Sequence, residues 1–540
     1  MARLAIQADR QADAGARAAD PRMSGMIETS ARAAATRKAA WPLASLALLA
    51  ALLAILCWRA VAVGEDFVAA IGSPLELDYG EGIVWQQAAL IPGPRMYLPT
   101  DQLPFIVFHY PPVYHLLVRA VSPLFSSPLA AGRFVSSLAT LTICILVAAL
   151  VSVALRRRGM RLTPPDVAMV AAAGLMVPCL HVVHVWGPLM RVDSTAIALS
   201  LAGLLVGARA NARPVGTTIG LLLCCAAVYT KHTQISAGVA LFAVTLIRNP
   251  RCAALSATLA GAVGLTVLCV LQYITHGGFL HNIVGHNINR LSLDHVGTAF
   301  WLERSSMLVM LLALCAVLQL APATFPLVRR SSDRERLWSM WTARLDEPGR
   351  ACTAMLVLYW GVTTLTLSAL LKSGGNFNYF YEWLVAGCAL IGVWLPLLAR
   401  RLGQAGLRVA LVLLLLTANI MPLHINPHLA DPATLARHAR IVARIAAADK
   451  PVASENMTVL MQAGKQVIFE PAIVTELASV GRWDERPLID MISKRQFAFM
   501  ITMSGDPAAR RTPAFEAAMR AAYPRVEQVA PQMWFHLPPS

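Results

Sequence analysis

About eleven apolar runs, separated by short clusters of arginine and lysine, divide the chain between Trp41 and Met421. A helix needs roughly 20 mainly apolar residues to cross the hydrocarbon core of a bilayer. The runs are Trp41 to Val63, Gly132 to Leu155, Val167 to Trp186, Ser194 to Gly207, Gly216 to Tyr229 and Gln234 to Ile247. Ala253 to Tyr273, Ser306 to Val328, Cys352 to Leu371, Tyr381 to Leu398 and Val409 to Met421 complete the series. A chain that is 57% hydrophobic and 14% charged would expose very large apolar patches as a water-soluble globule. The pattern predicts a polytopic α-helical membrane protein with about eleven transmembrane helices, give or take one or two where runs such as Gly216 to Tyr229 are short.

The net charge of +16 does not point to nucleic acid, because the excess sits in short Arg-rich clusters between the apolar runs, as the positive-inside bias produces. These clusters are Arg156 to Arg158 with Arg161, Arg209 with Arg213, Arg248 with Arg251, Arg329 to Arg350, and Arg400 with Arg401. All fall on one side if the N-terminus is cytoplasmic. Residues 1–40, rich in Ala and Arg, are expected to form a flexible cytoplasmic tail, and Trp41 to Val63 a retained signal anchor. Residues 41–424 then form the transmembrane domain, with a large first outer loop over 64–131. Residues 425–540 change character: strand-like runs Pro451 to Ser454, Gln466 to Phe469 and Phe497 to Met503 alternate with helix-like stretches such as Ala472 to Val480. A small extracytoplasmic α/β domain is expected there. The ten cysteines lie mostly within apolar runs and read as small buried residues, neither a disulfide framework nor a metal site.

The first outer loop is too long for a connector and carries two unusual stretches, LDYGEGIVWQQAAL and FHYPPVYHLL. If the first begins a helix, Asp78 and Glu81 share a face and both carboxylates meet one site as its catalytic residues, while Gly80 and Gly82 leave the backbone open to a substrate. A carboxylate beside the membrane is partly desolvated, which raises its pKa and suits it to act as general base toward a hydroxyl or amine. His109 and Tyr110 precede Pro111 and Pro112 and are placed to bind an acceptor or orient a phosphate; two prolines that break a helix at the bilayer surface account equally well for the motif.

Three further charged segments fall at or near outer helix ends: PLMRVDSTA with Arg191 and Asp193, YTKHTQ with Lys231 and His232, and KSGGNFNYFYEW with Lys372, Asn376, Asn378, Tyr379 and Glu382. Ionisable groups at membrane depth are costly, so they are paired or functional. A cation there would stabilise a phosphate leaving group, and Arg does so with a bidentate fork. Snorkelling is the alternative for the lysines. His181 and His184 are three apart but lack a third ligand, which favours an interfacial or core role over a metal. No Walker loop, dinucleotide fingerprint or Ser-His-Asp order is visible.

Together LDYGEG, HYPPVYH, RVDS, TKHTQ and NFNYFYE, in that order, resemble the GT-C superfamily of integral membrane glycosyltransferases, related to the protein O-mannosyltransferases and the lipid A aminoarabinose transferases. The resemblance implies a GT-C fold in the bacterial inner membrane. It implies inverting transfer from a polyprenyl-phosphate-linked sugar to a glycan, lipid or protein acceptor on the outer face. On that analogy Asp78 is the base, and Arg191 or Lys231 contacts the donor phosphate. In the mannosyltransferase pattern the two acids are adjacent, whereas here Tyr79 and Gly80 separate Asp78 from Glu81. No resident cofactor is implied, and a divalent metal is the one candidate the pattern admits. A transporter or flippase of lipid-linked saccharides would also have many spans and buried charge. It would place that charge near the bilayer midplane in broken, repeated helices, whereas here it gathers at outer ends.

Overall fold

The structure is a computed structural model that describes residues 41–98, 103–287, 291–293, 296–325, 334–372, 375–401, 403–420, 431–505, 508 and 510–540. The tail expected over 1–40, and the point near 424 where the last span was expected to end, lie outside the described residues.

In lipid a backbone has no water to bond to, and an apolar run satisfies its own amides by coiling into a helix. Each of the runs identified in the sequence is helical over most of its length. Among the described residues, eight helices are long and apolar enough to cross a membrane: Leu43–Gly72, Pro128–Arg157, Asp193–Ala210, Pro250–Ile274, Arg304–Pro322, Pro348–Leu371, Tyr379–Arg401 and Gly403–Ile420. The remaining three runs correspond to Pro164–Cys179, Pro214–Val228 and Ser236–Arg248, of 16, 15 and 13 residues. At 1.5 Å per residue these are about 20–24 Å long, short of the hydrocarbon thickness. The run Val167 to Trp186 is not one helix. Pro178 lacks the amide proton a helix needs, Leu180 turns to extended backbone (φ −68°, ψ 137°), and a separate short helix, His181–Trp186, follows.

The chain is a multi-pass membrane protein, and the spans divide by burial. In Tyr379–Arg401, 89% of the most apolar window is buried, against 17% in Pro250–Ile274. The first is therefore the centre of the bundle, packed by Pro164–Cys179, Pro348–Thr366, Pro128–Arg157 and Met307–Thr324. The second turns Leu255, Leu259, Val263 and Val270 outward, a face suited to acyl chains and unfavourable in water.

After residue 431 a four-stranded sheet forms from β1 (Ala453–Ser454), β2 (Met500–Met503), β3 (Arg525–Ala530) and β4 (Met533–Leu537), in the order β1-β2-β4-β3. β1 and β2 are parallel and the other pairs antiparallel. The helix expected at Ala472 to Val480 is Pro471–Ser479. The run Gln466 to Phe469 does not join the sheet. It pairs instead with the first outer loop: the Phe105 amide donates to the Ile468 carbonyl at 2.7 Å, and Phe105 bridges Phe469. Phe105 and Val107 enter a hydrophobic cluster with Phe469, Ile473, Phe497 and Phe515, while Tyr79 and Ile83 pack against a second around Val459, Leu460 and Phe535. The described residues from Leu49 to Ser540 fall in one compact unit.

Candidate active site

The helix Tyr79–Leu90 begins at Asp78, whose backbone is extended (φ −148°, ψ 137°) and whose Oδ2 accepts the Gly80 amide at 2.8 Å. Aspartate suits this N-cap position because its side chain takes one of the unsatisfied amides at the helix start. The same Oδ2 lies 3.2 Å from Arg191 Nη1. Burial pushes the Asp78 carboxyl above its ordinary value, the Arg191 charge pulls it back, and the nearby charge of Glu81 adds to the rise. Glu76, two residues earlier, was missed in the sequence. Burial and then the charges of Glu81 and Asp78 hold its carboxyl well above the usual range, while the Thr458 amide approaches its Oε2 at 3.4 Å.

The glycines of this motif do not leave the backbone open to substrate as the sequence suggested. A Cβ on Gly80 would fall 1.1 Å from Arg191 Nη1, so the missing side chain is the space that the guanidinium occupies. A Cβ on Gly82 would lie 2.8 Å from the Met457 Cβ, where the C-terminal residues close on the loop. Gly80→Ala is expected to expel Arg191 from Asp78 and lower activity at least ~10-fold, the loss of about one charge-assisted contact. A transfer assay beside a thermal melt, with the melt changed far less than the rate, checks this.

Glu81 departs from its expected catalytic role. It is fully buried, and its oxygens accept four donors: Arg133 Nε at 2.8 Å and Nη2 at 2.6 Å, the Met190 amide at 3.0 Å and the Leu77 amide at 2.9 Å. Arg133 donates its other protons to the carbonyls of Ala70, Ser73 and Leu75 at 2.6–2.8 Å. A carboxylate with every lone pair engaged holds the loop to the bundle and does not relay protons.

A second ion pair stands beside the first. Asp193 opens the span Asp193–Ala210, and its Oδ1 accepts Lys231 Nζ at 2.7 Å and Asn378 Nδ2 at 3.0 Å, while Trp186 Nε1 donates to Oδ2 at 3.2 Å. Burial works against the Lys231 charge, but Asp193 holds its pKa above the ordinary value, so it remains a cation. Lys231 Nζ lies 5.0 Å from the centre of the Tyr379 ring, with Lys372 Nζ 5.9 Å from the same ring. Tyr110 lies within electrostatic reach of Arg191, Asp193 and Lys231, and burial raises its phenol.

Asp193, Lys231, Gln234, Asn378, Tyr379 and Glu382 line a narrow cleft of about 20 Å³, the room of roughly one water. Buried Glu382 Oε1 and Gln234 Nε2 make no hydrogen bond of normal geometry among the described residues. Gln234 was not among the residues singled out in the sequence, although it ends the TKHTQ segment. Its signal was a polar side chain at the start of a short apolar helix. Asn376, expected at the site, is exposed and caps its own turn by accepting the Phe377 amide at 2.8 Å. His232 is held neutral, pushed down to about 4 by burial and then by Lys372 and Lys231, and does not line the cleft.

His109 lies within electrostatic reach of Arg191 but is taken up by partners of its own. Its Nε2 meets Glu470 Oε2 at 2.9 Å and its Nδ1 meets Asn287 Oδ1 at 3.3 Å, which engages both ring nitrogens with protein acceptors. Burial lowers the imidazole pKa, but the charge and hydrogen bond of Glu470 outweigh it, and the net shift is upward. With a folded-state value above the ~6.5 of a free imidazole, the pair stabilises the closed loop fully below that pH. The stabilisation is lost as pH rises through the folded-state value. Hydrogen exchange at residues 466–472, measured across this range, is expected to become several-fold faster in the wild type relative to His109→Gln as pH rises. Parallel profiles for the two proteins contradict the pairing.

Among the described residues no three His, Cys, Asp or Glu side chains gather as metal ligands. His184 pairs with Asp66 at 2.7 Å, and His181 stacks on Phe377.

No protein-family model matches the chain, and no curated protein does. Solved structures are similar to it. ArnT from Cupriavidus metallidurans in the apo state has a TM-score of 0.49 at 14% identity over 90% of this chain and 99% of ArnT. The same protein bound to undecaprenyl phosphate gives 0.47 at 15% identity, with the same coverage. The oligosaccharyltransferase AglB from Archaeoglobus fulgidus, with an inhibitory peptide and a dolichol-phosphate, gives 0.47 at 11% identity over 84% of this chain and 69% of AglB.

Proposed function

We propose that the chain is a membrane glycosyltransferase that moves a sugar from a polyprenyl-phosphate carrier to a hydroxyl or amine of a glycan, lipid or protein acceptor, with inversion at the anomeric carbon. The observation that carries this reading is the meeting of two ion pairs, Asp78 with Arg191 at 3.2 Å and Asp193 with Lys231 at 2.7 Å, beside a buried polar cleft. Only Val192 separates Arg191 from Asp193.

In this mechanism Asp78 takes the acceptor proton as the acceptor oxygen or nitrogen attacks the anomeric carbon. The bond from that carbon to the phosphate oxygen breaks, and the electron pair leaves with the polyprenyl phosphate. The phosphate gains charge as it departs, and Arg191 and Lys231 are the cations placed to receive it, at a helix start whose dipole also favours an anion. Tyr110, Asn378, Tyr379 and Glu382 hold the sugar, the aromatic face packing its ring and the amide and carboxylate bonding its hydroxyls. Asp193 positions Lys231. The carrier's tail stays in the bilayer while the reacting centre sits at its surface, so no nucleotide is needed at the site. On this reading the protein lies in the inner membrane, with its N-terminus cytoplasmic and the domain expected over residues 425–540 outside.

The test incubates the purified full chain with a panel of polyprenyl-phosphate sugars and acceptors. Sugar joined to acceptor with inverted anomeric configuration, together with free polyprenyl phosphate, is the expected product. Transfer of no sugar in the panel, combined with protein-dependent movement of the lipid-linked sugar across reconstituted vesicles, would make the chain a flippase instead.

A further inference from the structure

Asp78 stands between two neighbours that are held by different parts of the protein. Leu77, before it, gives its amide to Glu81 Oε2 at 2.9 Å, and Arg133 ties Glu81 to the membrane-spanning bundle. Tyr79, after it, is the first residue of the helix Tyr79–Leu90 and turns instead to the C-terminal part of the chain. Its ring packs against the cluster around Val459, Leu460 and Phe535, and the guanidinium carbon of Arg510 lies 3.5 Å from the ring centre. Its hydroxyl oxygen accepts the Ala472 amide at 3.1 Å.

That bond fills a gap at the start of the helix Pro471–Ser479. Pro471 has no amide proton, and Glu470, at the N-cap, makes no side-chain capping bond while its carboxylate meets His109. Ala472 therefore carries the first free amide of that helix, and a residue 393 positions away supplies the acceptor that a cap would provide. Burial, and then the charge of Glu470, raise the Tyr79 phenol above its ordinary value, so the oxygen that takes this bond stays a neutral hydroxyl. Core packing would be met by any large apolar side chain. A hydroxyl set on a helix start, with a guanidinium over its ring, fixes direction as well as depth. Gln462 Nε2 donates to the Pro74 carbonyl at 2.6 Å, so C-terminal residues also grip the chain ahead of Asp78.

The backbone of Asp78 is thus fixed from both sides, with its Oδ2 set against the Gly80 amide and Arg191. A general base must lie within hydrogen-bond reach of the proton it takes, and a misplacement of about 1 Å costs ~10²-fold in rate. We propose that Tyr79 is a positioning residue of the transfer reaction: through Arg510 and the Ala472 amide it makes the C-terminal part of the chain set the place from which Asp78 meets the acceptor. This role rests on the reading of Asp78 as general base.

The full chain is assayed for transfer, across pH, as wild type, Tyr79→Phe, Tyr79→Leu, Arg510→Gln and Arg510→Lys. Tyr79→Phe, which keeps the ring and strands the Ala472 amide, is expected to lower kcat per folded molecule ~10-fold, and Tyr79→Leu ~10²-fold, with the KM for the polyprenyl-phosphate sugar unchanged. Arg510→Gln is expected to lower kcat, and Arg510→Lys, which keeps a cation over the ring, to recover part of the loss. As Asp78 moves from Arg191 it loses the charge that pulls its pKa down, so the acid limb of kcat shifts to higher pH in the impaired variants. A residue that only packs would lower the melting temperature and leave both readouts in place. Wild-type transfer with kcat per folded molecule and the acid limb unchanged in both Tyr79 variants overturns the positioning role and leaves Asp78 as base. A wild type that transfers no sugar removes the reaction itself, and the role with it.

Discussion

Asp78→Asn is expected to reduce sugar transfer by ~10²–10⁴-fold, the range for loss of a positioned general base. The substitution is close to isosteric, and asparagine caps helices about as well as aspartate, so the Gly80 amide keeps its partner and the helix Tyr79–Leu90 its start. The variant lacks only the ability to take a proton and to offset the Arg191 charge. Its melting temperature is therefore expected to stay near that of the wild type while turnover collapses, and equal turnover in the two proteins would remove Asp78 from the mechanism. The wild-type pH profile supplies an independent check. Burial raises the Asp78 pKa despite Arg191, and a base works only when ionised. The acid limb of the rate should therefore lie above the ordinary aspartate value of ~3.9 and rise with pH.

Arg133→Met is expected to have the largest effect on stability, a loss of ~3–5 kcal/mol, because removing one partner of a buried pair strands the other charge. Glu81 would keep two backbone amides but lose both bonds to Arg133, in a place without water. The carbonyls of Ala70, Ser73 and Leu75 would lose their donor in the same step. Adding Glu81→Gln should recover part of the loss, since it removes the stranded charge. Thermal unfolding of the two single variants and the double variant gives the coupling directly. Additive losses in that cycle would mean that the pair does not act as a unit.

The runs of apolar residues were legible because helix formation in lipid follows from composition, and the helices fall where the sequence places them except in Val167 to Trp186, which breaks after Pro178. The charged members of the site were legible for a related reason. In a chain with so little charge, Arg191, Asp193, Lys231 and Glu382 stand out; Asp193, Lys231 and Glu382 line one cleft, and Arg191 pairs with Asp78. What escaped depended on distant or local geometry. The spacing of Asp78 and Glu81 suggested two acids on one helical face, but Asp78 is an N-cap with extended backbone, and that separates their surroundings. His109 gave no sign of its partner because Glu470 lies 361 residues away in sequence. The β3–β4 hairpin was missed because its turn, at Pro531 and Gln532, carries none of the Asn-Gly or Asp-Gly signals that mark tight hairpins.

The bridge between Phe105 and Phe469 bears on the order in which the protein is made. A ribosome adding ~5–20 residues per second needs roughly 20–70 s to pass from one to the other. Through that interval the first outer loop is translated and anchored by Arg133, yet the apolar side chains of Phe105, Val107 and Tyr79 have nothing to cover them. The loop that carries Asp78 is therefore completed only when residues made long after it have emerged, those around Phe469.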